Sequence, residues 1–221
     1  MLSRVPSDSA YKLREGLTGL KLVVSRDQQE LLLNYLSLLQ KWNKAYNLTA
    51  VRDPNEMLVK HVLDSLAIVS YCRSAGTLLD LGAGAGLPSV VLAIVYPEMG
   101  VWALDSNIKK TRFMQQVAYE LSLNNLRVVH ARADSQALTQ TFDIVISRAF
   151  AALSDYVQVA LPRLNTHGQI FAMKGRYPES ELAEAAPLCD IKDVIPLSVP
   201  FLEEDRHLII AGAMSSTEKV N

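Results

Sequence analysis

Apolar residues fall into two kinds of rhythm along this chain. Between Gln28 and Trp42, Leu31, Tyr35, Leu38 and Trp42 recur on one face, with Leu32, Leu36 and Leu39 beside it. That spacing predicts a strongly amphipathic helix. A second helix is signalled by Asp53-Pro54-Asn55-Glu56, a capping residue, a proline at the first helical position and a glutamate three residues after the cap. It runs to about Tyr71, with Leu58, Val62, Leu66 and Val69 directed inward. From there short apolar runs alternate with helical periods. Strands are expected at Thr77 to Leu81, Val101 to Leu104, Leu126 to His130, Phe142 to Ser147 and Gln169 to Met173. Helices are expected at Leu87 to Tyr96, Ile108 to Leu121, Leu153 to Leu164 and Glu179 to Ala186. Asp190 to Leu197 and Arg206 to Ala211 read as two strands with no helix between them. Strand–helix alternation predicts an α/β fold, a mostly parallel sheet covered on both faces. The helix-free last connection adds a terminal antiparallel hairpin. The expected organisation is a helical extension over 1–72, a ligand-binding α/β domain over 73–213 and a polar tail over 214–221.

The most telling segment joins the first strand to its helix: Asp80-Leu81-Gly82-Ala83-Gly84-Ala85-Gly86-Leu87-Pro88-Ser89. Three glycines spaced by two permit positive φ and a close approach of backbone to ligand. Pro88 suits the first turn of a helix. The last glycine comes one residue too early for the Gly-x-Gly-x-x-Gly dinucleotide fingerprint. The pattern instead resembles motif I of class I S-adenosylmethionine (SAM) methyltransferases. That resemblance implies a Rossmann-like sheet of seven strands ending in an antiparallel hairpin, the topology outlined above.

In such sheets ligands sit at the carboxyl ends of the strands. There the glycine-loop N–H groups, at Gly82, Gly84 and Gly86, suit a carboxylate. Asp105, ending the second strand, suits two ribose hydroxyls or a helix N-terminus. Asp134 suits an adenine amino group with Ala133 against the ring, or plain solvent. After the fourth strand stand Ser147-Arg148-Ala149-Phe150. The Asn/Asp-Pro-Pro-Tyr/Phe motif of exocyclic-amine methylation is missing from this place. Pyrimidine carbon-5 methylation needs a cysteine nucleophile, but Cys72 precedes the glycine loop and Cys189 begins a distal strand, so neither is placed for it. Acceptors that are already nucleophilic remain, guanine N7 among them, and these need no general base. Arg148, Lys174 and Arg206 could then hold phosphates or the base.

Composition narrows the class further. The chain has 221 residues, 49% of them hydrophobic, which is enough for a large core. Its two cysteines form no metal-binding spacing, so no metal and a reduced, cytoplasmic protein are expected. Met1 to Gly16 lacks the apolar core of a secretory signal, and Val90 to Tyr96 is too short to cross a bilayer. Net charge is −1, but residues 104–176 hold nine basic and five acidic side chains. A local basic face is one reading of that excess, and ordinary solvated charge is the other.

Further blocks carry a closer resemblance. They are Lys41-Trp42-Asn43-Lys44-Ala45-Tyr46-Asn47-Leu48-Thr49, Arg52-Asp53-Pro54 through His61, Leu63-Asp64-Ser65 and Leu104-Asp105-Ser106. Ile146-Ser147-Arg148-Ala149-Phe150-Ala151, Met173-Lys174-Gly175 and Arg206-His207-Leu208 complete the set. Together with the glycine loop, they make the chain similar to the bacterial 16S rRNA guanine-N7 methyltransferases, the glucose-inhibited division protein B family, from about Gln28 to Ile210. The resemblance implies SAM as donor and guanosine 527 (rRNA numbering) as acceptor, in 16S rRNA or an assembling small subunit. It also implies SAM contacts at Gly82, Leu87, Ala133, Asp134 and Arg148, and a monomer is expected. A small-molecule methyltransferase and a non-catalytic SAM- or RNA-binding ribosome-associated protein are the rival functions. Ser89 replaces the family's usual glycine and is expected to cap or face solvent. Asp134 replaces its usual glutamate and reaches less far.

Overall fold

The computed structural model describes residues 7–135, 138–148, 150 and 152–214. Ala149, Ala151 and all of the expected tail except Met214 lie outside the described residues.

Seven strands form one sheet: β1 (Thr77–Leu81), β2 (Gly100–Asp105), β3 (Leu126–His130), β4 (Phe142–Ser147), β5 (Leu164–Lys174), β6 (Asp190–Pro196) and β7 (His207–Gly212). Their order is β3-β2-β1-β4-β5-β7-β6. The first five are parallel, and β7 runs antiparallel to both β5 and β6. The expected topology is therefore present, with shifted edges. Pro162 falls in a 3₁₀ turn, Leu161–Arg163, that ends α7 (Leu153–Ala160) early. β5 then starts at Leu164, paired with Phe142, five residues before its predicted start.

Alternate strand residues enter two cores. Leu78, Val101, Ile144 and Phe171 face one layer; Leu79, Leu104, Val145 and Ile170 face the other. The second layer is α7 with α8 (Glu179–Ala185). The first contains α5 (Ser89–Val95) and α6 (Ile108–Glu120), and with them the N-terminal helices α1 (Ser7–Gly19) and α2 (Arg26–Tyr46). The amphipathic face of α2 is thus buried against the sheet's own helices. Ser25 and Gln28 close a reciprocal cap at its start, and Gln28 also donates to the Ile94 and Val95 carbonyls at the end of α5. Tyr35, fully buried, donates its hydroxyl to the Ala85 carbonyl at 2.8 Å. Trp42, only partly buried, lies 5.6 Å from Phe113 of α6, ring centroid to centroid.

The second predicted helix departs from regularity. Asp53 caps it through the Asn55 and Glu56 amides, and α3 (Pro54–Met57) begins as expected. It then opens into a π-helical stretch, Leu58–Leu63, before α4 (Asp64–Leu66) and a 3₁₀ turn, Val69–Cys72. The expected inward residues are buried, but so are Val59, His61, Leu63, Asp64 and Ser65. A segment buried nearly all round is governed by what it packs against, and one wide turn at a ligand pocket is a common result.

Replacing Tyr35 by Phe would leave the Ala85 carbonyl buried without its donor. Global stability is expected to fall by about 1–3 kcal/mol, read as a lower urea midpoint at unchanged slope; an unchanged midpoint would show that the bond contributes nothing net.

Candidate cofactor and substrate pockets

The turn after β1 takes the predicted shape, with φ of +73° at Gly82, +62° at Gly84 and +86° at Gly86. The three glycines serve different ends. A Cβ at Gly82 would meet nothing within 4 Å, and one at Gly84 only the Gly82 carbonyl at 3.9 Å. Both therefore border open space. A Cβ at Gly86 would fall on the Val90 side chain, so this glycine serves the packing of the loop on α5. Pro88 precedes α5 as its cap residue, not as its first helical residue.

The loop's N–H groups differ from expectation. Those of Gly82 and Ala83 donate to Leu104 O, those of Gly86 and Leu87 to Ala83 O, and that of Gly84 to Asp105 Oδ2 at 2.8 Å. The Ala85 N–H is the loop amide left without an acceptor among the described residues. The loop thus offers bare backbone and shape more than free donors. Leu87 is itself buried. Asp105 does two local jobs at once: Oδ2 pins Gly84, and Oδ1 accepts from the Asn107 amide that starts α6. It keeps a place beside the loop, because β1 and β2 pair in register up to Leu81 and Leu104.

Asp80 was given no role of its own from sequence, although it is the one charged residue in an apolar strand. It is fully buried, and its Oδ2 accepts from the Ser89 amide at 3.1 Å. Burial lifts its carboxyl to about 6, against the pull of the Ser89 bond. Its Oδ1 has no protein hydrogen-bond partner among the described residues. Ser89, expected to cap or to face solvent, is buried with it as the first residue of α5 and does not cap that helix.

After β3, Ala133 and Asp134 follow His130, which registers with Asp105 at the same end of the sheet. Asp134 is exposed and paired with Arg132 at 3.2 Å, which holds its carboxyl below the usual range. An adenine contact would compete with that pair. His130 bonds the Ser106 carbonyl, as a structural histidine would.

A cavity of about 310 Å³ opens at the carboxyl ends of β4 and β5. Arg148, Lys174 and Arg206 all line it, together with Lys60, His61 and Asp64 from the helical segment. Lys174 and Arg206 stand at this rim because Lys174 pairs with His207 across β5 and β7. None of these cations is bare. Lys174 pairs with Glu181 at 2.6 Å. Arg148 Nη1 donates to Lys60 O at 3.1 Å and to Asp64 Oδ2 at 3.2 Å. Arg206 Nε donates to Asp64 Oδ1 at 2.9 Å. His61 and Asp64, one turn apart, do not bond each other: His61 Nε2 meets Thr49 Oγ1 at 2.8 Å. Burial, then the Arg148 charge, pushes His61 down to about 4, so its ring is neutral at physiological pH. Phe150 leans on Tyr156 and His207 on Tyr177, with ring centroids 5.1 Å and 5.7 Å apart.

Both thiols are buried and raised, Cys72 to about 12. They precede β1 and β6 at the opposite end of the sheet. Neither is a nucleophile for this cavity.

A family model described as rRNA small subunit methyltransferase G (GidB) matches residues 28–209. The chain is similar to a curated protein called ribosomal RNA small subunit methyltransferase G from Alkalilimnicola ehrlichii, 47% identical over 211 residues, covering 95% of this chain and 96% of that one. It is likewise similar to the Pseudomonas aeruginosa protein of that name, 44% identical over 209 residues, covering 95% and 98%. Among solved structures it resembles a glycopeptide N-methyltransferase, MtfA, complexed with S-adenosyl-L-homocysteine, at 13% identity and TM-score 0.59, covering 68% of this chain and 90% of that one. It also resembles a ribosomal protein L11 methylase from Lactobacillus delbrueckii subsp. bulgaricus, at 18% identity and TM-score 0.53, covering 69% and 77%. At such identities the structural likeness is one of fold alone.

The raised carboxyl of Asp80 has a consequence for stability. The folded state keeps the Asp80 proton up to about pH 6, whereas the unfolded chain releases it near 4. Asp80 therefore makes stability fall as pH rises from 4 to 6, and the loss persists above that. Asp80→Asn, which keeps an acceptor for the Ser89 amide, is expected to remove this slope and to recover on the order of 2 kcal/mol at pH 7. Denaturant unfolding at pH 4, 5, 6 and 7 checks it, and parallel curves for parent and variant would refute the burial account.

Proposed function

The chain belongs to the rRNA small subunit methyltransferase G family, and from that membership we propose that it methylates N7 of a guanine in 16S rRNA, guanosine 527 in rRNA numbering. At the coarser level it is a SAM-dependent methyltransferase of small-subunit rRNA, and its sheet is that of the class I methyltransferases. The observation that carries the finer reading is the cavity at the carboxyl ends of β4 and β5: four basic side chains, and a histidine held neutral.

The residues beside the glycine loop fit SAM. Open space borders Gly82 and Gly84. The orphaned, buried Asp80 Oδ1 is suited to a cationic amino group. In this reading Gly82, Gly84 and Leu87 shape the methionine end, with Gly86 seating the loop. Asp105 takes the ribose, Ala133 and Asp134 border the adenine, and Arg148 lies between donor and acceptor. When bound, SAM supplies an electrophilic methyl group on a sulfonium.

The protein's own task is then positioning. The guanine N7 lone pair forms the new N–C bond while the electron pair of the S–C bond returns to sulfur. No proton moves, so no general base is needed. Alignment and exclusion of water do the work. His61, neutral and bonded to Thr49, takes no proton in this scheme. Lys174 and Arg206 contact the RNA, and their existing acid partners hold them in place for it. The substrate is naked 16S rRNA or an assembling subunit, and the enzyme acts as a cytoplasmic monomer.

Two outcomes are expected. Asp105→Ala should weaken SAM by about 1–3 kcal/mol in titration calorimetry with the fold intact; equal affinity would remove Asp105 from the cofactor site. Single-turnover methylation at saturating SAM should be flat from pH 6 to 9 in the parent and fall steeply at every pH in Arg148→Ala, with N7-methylguanosine located by mass mapping. Because His61 is pushed down to about 4, its part is read from the rate of His61→Gln: a rate near the parent's fits methyl transfer without a base, and a loss as large as that of Arg148→Ala at unchanged SAM and RNA affinity would mean that a base is required.

A further inference from the structure

The charged groups around the cavity form a closed ring. Lys60 Nζ meets Glu204 Oε1 at 2.9 Å, and Glu204 Oε2 accepts from Arg206 Nη2 at 3.0 Å. Arg206 Nε donates to Asp64 Oδ1 at 2.9 Å, and Asp64 Oδ2 accepts from Arg148 Nη1 at 3.2 Å. The same Nη1 donates to the Lys60 carbonyl at 3.1 Å, which closes the circuit. Three stretches of chain are joined this way: the helical segment before β1, the loop after β4 and the loop before β7. Asp64 is the deepest member, its side chain 3% exposed, against 18% for Arg206 and 26% for Arg148. Lys60 and Glu204 close the ring from the outside.

We infer that Asp64 is a positioning residue for methyl transfer, acting through Arg206 and Arg148. This rests on the function proposed above. Both recorded bonds of Arg148 use Nη1, so its Nε and Nη2 edge meets no acceptor among the described residues. That edge is a planar two-donor fork, suited to a phosphate or a base carbonyl. A fork helps only when its plane is fixed, and the Asp64 bond with the Lys60 carbonyl fixes it. The charge matters too. The donor is a cation, and the methylated guanine becomes one. Two uncompensated guanidinium groups in the same cavity would repel both. One buried carboxylate shared between them keeps their hydrogen-bonding geometry and offsets their charge. Asp64 reaches this position because the π turn ahead of it brings His61 and Asp64 to the cavity wall.

The test is a double-mutant cycle on the full chain with unmethylated 16S rRNA or small subunits. Single-turnover rate, RNA affinity and SAM affinity are measured for the parent, D64N, D64E, R206A and D64N/R206A. D64N is expected to keep SAM affinity within about threefold and to lose on the order of a hundredfold in single-turnover rate. In the R206A background the same change should cost less, on the order of tenfold, because only the Asp64 bond to Arg148 is then left to lose, and D64E should recover part of the rate. A D64N rate equal to the parent's, additive losses in the cycle, or lost SAM affinity in folded D64N would each overturn the inference. Should D64N melt below the assay temperature, E204Q probes the ring from its exposed side. A severalfold lower rate at unchanged melting and SAM affinity supports the role, and an unchanged rate overturns it. Failure of the substrate assignment is separately visible, because the parent itself would then leave the rRNA unmethylated.

Discussion

The turn between β1 and α5 has to hold three residues at positive φ and remain in one place, and much of the molecule is arranged around that constraint. Glycine makes the dihedrals accessible but supplies no rigidity of its own. Rigidity comes from outside the turn. The Leu104 carbonyl accepts from two loop amides, Asp105 accepts from a third, and the Ala85 carbonyl accepts from the Tyr35 hydroxyl. The anchors sit on two elements: Leu104 and Asp105 end β2, and Tyr35 stands in the middle of α2. A ligand meeting this loop therefore meets a surface whose ordering cost was met on folding, which favours tight binding of a small molecule.

The N-terminal helices acquire a function from the same arrangement. The helix α2 contributes Tyr35 to the loop and Trp42 to the buried Phe113 of α6, within one continuous apolar core. The segment from Pro54 to Leu66 then supplies Lys60, His61 and Asp64 to the cavity. Glycine loop and cavity wall thus share a helical layer that lies before the sheet in sequence.

Charge is handled differently in the two places. Asp80 is buried with one weak partner, and its carboxyl rises. Asp64 is almost as buried but lies between two guanidinium groups. A carboxylate in an apolar setting favours its neutral form, whereas the Asp64 side chain is matched by hydrogen bonds from two guanidinium groups. His61 follows the same logic in reverse: burial and a neighbouring arginine keep it neutral. The cavity therefore presents cations of fixed geometry and a histidine that carries no charge, a combination suited to holding an anionic polymer without taking part in proton transfer.

Much of this was legible along the chain. The period of the apolar residues specified the strands, their alternation with helices and the terminal hairpin. The spacing of Gly82, Gly84 and Gly86 specified a turn with three residues at positive φ, because positive φ is a local property of those residues. Blocks such as Ser147-Arg148 and Met173-Lys174-Gly175 marked the relevant end of the sheet. Who bonds whom was not legible. Asp64 and Arg206 are 142 positions apart, Tyr35 and Ala85 are 50 apart, and no period or spacing links them. The division of labour among the glycines, the occupied amides of the loop and the wide turn before Asp64 were likewise decided by packing. Local dihedral preference and burial pattern act over a few residues and can be read one segment at a time. Hydrogen bonds and ion pairs between distant segments exist only once the layers have come together, so the tertiary structure alone decided them.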